Sequence, residues 1–142
     1  MGFKLRDIEY KVTQANVELI KKENTIYMSI DIYAETNDAS IDYEIQGVQL
    51  YNEGFNTKAQ NISELKGKKF TWDKSINSDN EEAGVLNVVE FESVTKGTIE
   101  IVDIDEKNIT VRWTGTGNIY WSEPFSKDVP FDVEISTEYI LK

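Results

Sequence analysis

The stretch ANVELIKKENTIYMSIDI, residues 15–32, decides how the chain is read. Ala15, Val17 and Leu19 alternate with other residues, Lys22-Glu23-Asn24-Thr25 interrupts, and Met28, Ile30 and Ile32 resume the alternation. A period of two sends successive side chains to opposite faces of a strand. A tight turn centred on Glu23-Asn24 sets Leu19 opposite Met28, Val17 opposite Ile30 and Ala15 opposite Ile32, so apolar meets apolar at each step. Asn24 tolerates a positive φ, whereas Glu23 is a less favoured turn residue.

The same period runs outward in both directions. Ile8, Tyr10 and Val12 alternate before the hairpin. After the polar break at residues 36–40, Ile41, Tyr43 and Ile45 predict a strand up to Gly47, with Val48 and Leu50 continuing it past a bulge at the glycine. Residues 56–69 are the least strand-like, and one helical turn near residues 59–66, stopped by Gly67, is the most helix expected. Phe70 and Trp72 form a brief alternation, and residues 73–84 read as the longest exposed loop. Further strands are expected over 85–94, 98–104, 109–114, 119–122 and 129–139.

Asp105-Glu106-Lys107-Asn108 suits a type I turn with Asn108 in the left-handed position, which sets Ile101 opposite Trp113. Thr114-Gly115-Thr116-Gly117-Asn118 reads as the next connection, pairing Trp113 with Ile119 and Val111 with Trp121. Pro124 and Pro130 suit a loop, a strand start or an edge beyond that meander. The expected core is Ile99, Ile101, Ile109, Val111, Trp113, Ile119 and Trp121, joined by Leu19, Met28 and Ile30. The expected fold is all-β, a single domain over 1–142. It is an antiparallel two-sheet β-sandwich of about nine or ten strands, with a closed β-barrel as the alternative.

The 142 residues suffice for one core, and 39% hydrophobic with 29% charged residues describe a globular chain. The net charge of −11 opposes nucleic acid and anionic lipid as partners. No apolar run approaches the roughly eighteen residues a spanning helix needs. The start, Met-Gly-Phe-Lys-Leu-Arg-Asp, meets charge at once, so no signal peptide is visible and a cytoplasmic location is expected. Acidity is concentrated in the second half: residues 75–142 carry fourteen Asp/Glu against five Lys/Arg. Ordinarily such a run is a solvated face; as a docking face it would attract a basic protein.

With no His and no Cys, the commonest nucleophile, general base and zinc ligands are absent. Asp73, Ser75, Asn77, Asp79 and Glu81 alternate as in a calcium loop, but Ser78 replaces the turn glycine and Gly84 the final bidentate Glu. Gly115-Thr116-Gly117 lacks the third glycine of a dinucleotide fingerprint. Glu81-Glu82 and Glu90-x-Glu92 are paired carboxylates whose commoner role is solvation. The expectation is therefore no catalytic residue, no metal and no cofactor. The chain is read as a non-catalytic module binding a basic protein partner through Asp79, Glu81, Glu82, Glu90 and Glu92, of the kind an inhibitor or immunity-type protein uses. The alternative is a carbohydrate- or small-ligand-binding module using exposed aromatics, with Tyr51, Phe55, Tyr120 and Phe125 as candidates.

Overall fold

In the computed structural model, residues 1–119 and 126–142 are described. Nine strands account for most of them: β1 (Gly2–Leu5), β2 (Ile8–Lys22), β3 (Thr25–Glu35), β4 (Gly47–Asn56), β5 (Lys69–Trp72), β6 (Val85–Val88), β7 (Glu90–Ile104), β8 (Asn108–Ile119) and β9 (Ser126–Leu141). Helix is confined to two 3-10 turns, Tyr43–Ile45 and Ile62–Glu64, the second inside the window where the sequence predicts one.

The hairpin of residues 15–32 forms in the expected register. Leu19 faces Met28, Val17 faces Ile30 and Ala15 faces Ile32. Glu23 and Asn24 both hold positive φ, 48° and 70°, the pattern of a type I′ turn whose twist matches its flanking strands. Ile8, Tyr10 and Val12 belong to the same strand as Ala15, Val17 and Leu19. A bulge between Val12 and Gln14 explains why the inward phase passes from even to odd numbers.

The sandwich expectation gives way to its alternative. β1 to β4 and β6 to β9 close an eight-stranded barrel in chain order, each strand antiparallel to the next, and β9 returns to β1. β1 bridges β9 and the start of β2, placing Phe3 beside both Tyr10 and Val133. Beyond β1 the seam closes directly, with Val17 of β2 paired in parallel to Tyr139 of β9. β5 lies outside the ring, on the flank of β7 that β6 leaves uncovered. Long strands able to curl, interrupted by bulges in β2, β4, β7 and β9, allow the closure.

Four further expectations are corrected. Residues 41–45 are not a strand: the Asp42 carboxylate caps the first 3-10 turn by accepting the Glu44 N–H, Gln46 Nε2 donates to the Ile41 carbonyl, and Tyr43 is exposed. Residues 85–94 are not one strand but a hairpin, β6 folding back on β7 at Val89, with Val88 paired to Glu90. Ile101 faces Val111 instead of Trp113, a two-residue difference that leaves the apolar face intact. Asp105 Oδ1 accepts both the Lys107 and Asn108 N–H groups, holding the carboxyl below its ordinary pKa and fixing that turn.

Residues 114–118, read as a connection, are the middle of β8, paired to β7 and β9 on either side. Gly115 sits opposite Gly97, and a Cβ there would collide with the Lys96 carbonyl and lie 2.8 Å from Gly97 Cα. These glycines mark close strand approach inside a sheet, not a turn.

The barrel is filled. Ile99, Ile101, Ile109, Val111, Trp113, Ile119, Leu19, Met28 and Ile30 are all buried, as the sequence predicts, and Trp113 is at 0% exposure. Trp121 and Pro124 lie outside the described residues. The Trp113 indole occupies the space beside Gly84, where a Cβ would come within 2.6 Å of its ring, and stacks edge-on to Phe131 at 6.1 Å. A void at the Tyr10 end, lined by Leu5, Ile8, Tyr10, Ile45, Val88 and Ile119 among others, is about 20 Å³, too small for a ligand, whereas the outer wall offers larger depressions.

Candidate functional site

Because every second residue of a barrel strand points outward, the outer wall is the complement of the core pattern. Across the β2-β3-β4-β6-β7 wall the register builds two parallel rows. One runs Gln14, Tyr33, Gln49, Asn87, Phe91; the next runs Asn16, Asp31, Tyr51, Val85, Ser93. Glu18 and Ser29 pair beyond them, beside the β4 bulge that carries Glu53 and Gly54. The β2-β3-β4 part of this wall, with Phe91 from β7, lines a depression of about 640 Å³ in which three carboxylates, Glu18, Asp31 and Glu53, stand among Tyr33, Tyr51 and Phe91.

No lysine or arginine lines this depression among the described residues. Partial burial raises the Tyr51 hydroxyl pKa above the ordinary value, and the nearby charges of Glu53, Glu82 and Asp31 raise it further. Side chains on the wall are held in place: Gln49 Nε2 donates to Asp31 Oδ1 at 2.9 Å and to the Tyr33 hydroxyl at 3.0 Å. Tyr51 and Phe91 meet edge to face at 6.4 Å, while Phe91 stays 64% exposed. On the opposite β8-β9 wall Asp132 pairs with Arg112 and Glu138 with Lys107, while exposed Glu134 has no ion-pair partner among the described residues. Asp31, Glu53 and Glu82 have no ion-pair partner among the described residues, whereas Glu18 pairs with Lys142 at 3.0 Å.

The five carboxylates expected to form one docking face do not share one. Glu81 is half-buried and structural: its Oε2 accepts the Asn56 N–H at 2.6 Å, its Oε1 accepts from Asn77 Nδ2, and its carbonyl accepts the Trp72 indole N–H. Asp79 pairs with Lys58 at 3.4 Å on that same loop. Glu82 is exposed, and its carbonyl is tied to β4 by the buried Asn52 amide, which brings it beside Tyr51. Glu90 and Glu92 pair with Val88 and Leu86, so they extend from the inner-face positions at the far end of β4. Side-chain hydrogen bonds pull the loop 73–84 onto the barrel at one end, and the β6-β7 turn carries the other two acids away. Within the calcium-like pattern Asn77 Oδ1 is engaged, accepting the Asp79 and Glu81 N–H groups.

Of the candidate ligand aromatics, Tyr51 lies on the wall. Phe55 does not: it is 1% exposed, packed at 5.0 Å from Phe70 and 5.2 Å from Trp72. The bulge at residues 53–54 shifts the phase of β4, so Phe55 turns inward with Leu50. Tyr120 and Phe125 lie outside the described residues. The sequence reading passed over Asp31, Tyr33, Glu53 and Phe91. A signal for Tyr33 was present, an aromatic on the outward phase of a strand whose inward phase is Met28, Ile30, Ile32 and Ala34.

Among the described residues no helix is long and apolar enough to cross a membrane. Comparison of the chain with protein-family models, with curated proteins and with solved structures finds no match.

Proposed function

We propose that the protein is a non-catalytic binding module that docks a basic protein partner on the β2-β3-β4-β6-β7 wall, in the manner of an inhibitor or immunity-type protein. The observation that carries this reading is the wall itself: unpaired Asp31, Glu53 and Glu82 around Tyr33, Tyr51 and Phe91, with no cation lining the depression. Negative potential on a rigid sheet steers a basic partner, and exposed aromatics supply the contact area from which interface anchors are made. Of the acids named from sequence, Glu82 adjoins this wall; Glu81 supports the loop beneath it.

The test is association with a basic partner, beginning with any basic product of a neighbouring gene and with a lysine- and arginine-rich peptide as the generic probe. Asp31→Lys with Glu53→Lys is expected to slow association and to flatten its salt dependence, with only a small fall in the unfolding midpoint, since exposed Glu53 has no ion-pair partner among the described residues and half-buried Asp31 loses one hydrogen bond from Gln49. Binding that ignores ionic strength would remove the reading. Saturable binding of a neutral oligosaccharide that competes at Tyr51 would replace it with the ligand-binding alternative.

A further inference from the structure

Tyr51 stands directly opposite Asp31, and Tyr33 directly opposite Gln49, so the four form a square on adjacent strands with Tyr33 and Tyr51 on one diagonal. Diagonal neighbours on one sheet face remain within reach of aromatic side chains. Phe91 adds a third ring, edge to face with Tyr51. Gln49 spends both amide hydrogens, on Asp31 Oδ1 and on the Tyr33 hydroxyl, which leaves its carbonyl oxygen as an acceptor. Asp31 Oδ2 has no hydrogen-bond partner among the described residues.

Resting on the reading of this wall as the docking face, we propose that the square receives an arginine side chain of the partner. The guanidinium lies over the Tyr51 ring, flanked by Tyr33 and Phe91, and donates to the Asp31 carboxylate and the Gln49 carbonyl. Guanidinium suits this surface better than ammonium. It is planar, stacks on aromatic faces, and spreads five donors over acceptors lying along a sheet, where a lysine head offers three donors at a point. The chain makes a related contact within itself, the Lys22 ammonium lying 5.3 Å from the centre of the Tyr27 ring further along β3. Besides accepting from the guanidinium, Gln49 fixes Asp31 and Tyr33 toward the incoming group.

The experiment titrates isotope-labelled protein with blocked Gly-Arg-Gly, Gly-Lys-Gly and Gly-citrulline-Gly and follows backbone amide and aromatic resonances. The arginine peptide is expected to move Asp31, Tyr33, Gln49, Tyr51 and Phe91 saturably. The neutral citrulline peptide moves none of them, and the lysine peptide binds about fivefold more weakly. Tyr51→Leu should cost the arginine peptide about fivefold in affinity with the unfolding midpoint held, since the ring sits on the outside of the barrel. Equal response to lysine and arginine, or shifts spread over acids elsewhere, overturns the inference. If the basic probe still binds in a salt-dependent way while the arginine peptide leaves these five unmoved, the guanidinium site falls and the acidic-wall reading stands. If the peptide titrates the five but reversing Asp31 and Glu53 leaves the basic probe's binding intact, the docking reading falls instead.

Discussion

Tyr10 closes one end of the barrel. Its ring packs edge-on to Phe3 at 5.9 Å, it is 5% exposed, and its hydroxyl donates to the Ile45 carbonyl at 2.7 Å, tying the 36–46 loop to the core. Burial pushes the hydroxyl pKa up to about 12, against the opposing charge of Arg6. Unfolding returns it toward 10.0, so the fold favours the protonated phenol. Its contribution is fully present below pH 10 and is lost as pH rises from 10 toward about 12. Tyr10→Phe is expected to cost about 1 kcal/mol at neutral pH, through the unpaired Ile45 carbonyl, while flattening the alkaline fall in stability. Urea unfolding repeated from neutral to alkaline pH checks this, and a variant that falls as steeply as the parent would refute it. Asn52 shows how another single side chain shapes the molecule: buried in β4, it donates to the Glu82 and Ala83 carbonyls and so sets where the loop's acids stand.

The β6-β7 hairpin is the element under most strain. It reverses at Val89, which holds φ at 71° between the paired Val88 and Glu90. A β-branched residue in the left-handed region is a steric outlier, costing about 1–2 kcal/mol relative to a residue that accepts it. The turn sets the register that places Phe91 beside Tyr51, so the strain sits at the border of the candidate site. Val89→Asn is expected to raise stability by about 1 kcal/mol, since Asn visits this conformation readily and the valine side chain is half-exposed. Thermal unfolding gives the answer, a lowered midpoint meaning that the Val89 side chain matters more than its backbone. The β2-β3 hairpin presents the opposite case: its two left-handed residues include Asn24, and its register follows directly from the turn.

At the scale of the whole molecule, four residues decide whether the sheet is open or closed. β1 supplies Phe3 and Leu5, each 2% exposed, and pairs with both β2 and β9. Deleting residues 1–7 removes two large apolar side chains worth about 1.5–3 kcal/mol each and bares facing edges of β2 and β9. The shortened chain is expected to unfold at a lower denaturant concentration and to self-associate, which sedimentation against the full chain would reveal; a stable monomer would show that the β2·β9 contact suffices for closure. Strand content, the residue-15–32 hairpin and the buried set around Trp113 were determined by the sequence itself, because period-two alternation and turn chemistry act over a few residues. Barrel against sandwich was not, because inward-outward alternation is the same in both and only the pairing of β9 with β1 and β2, far apart in the chain, distinguishes them. The strand through Gly115 and Gly117 was likewise decided by partners on both sides, which override the local turn preference of glycine. The acidic, aromatic wall was assembled by tertiary structure: the sequence offers Tyr51 singly and a signal for Tyr33, but Asp31, Tyr33, Gln49, Tyr51 and Phe91 come from three strands, and only their registers make neighbours of them.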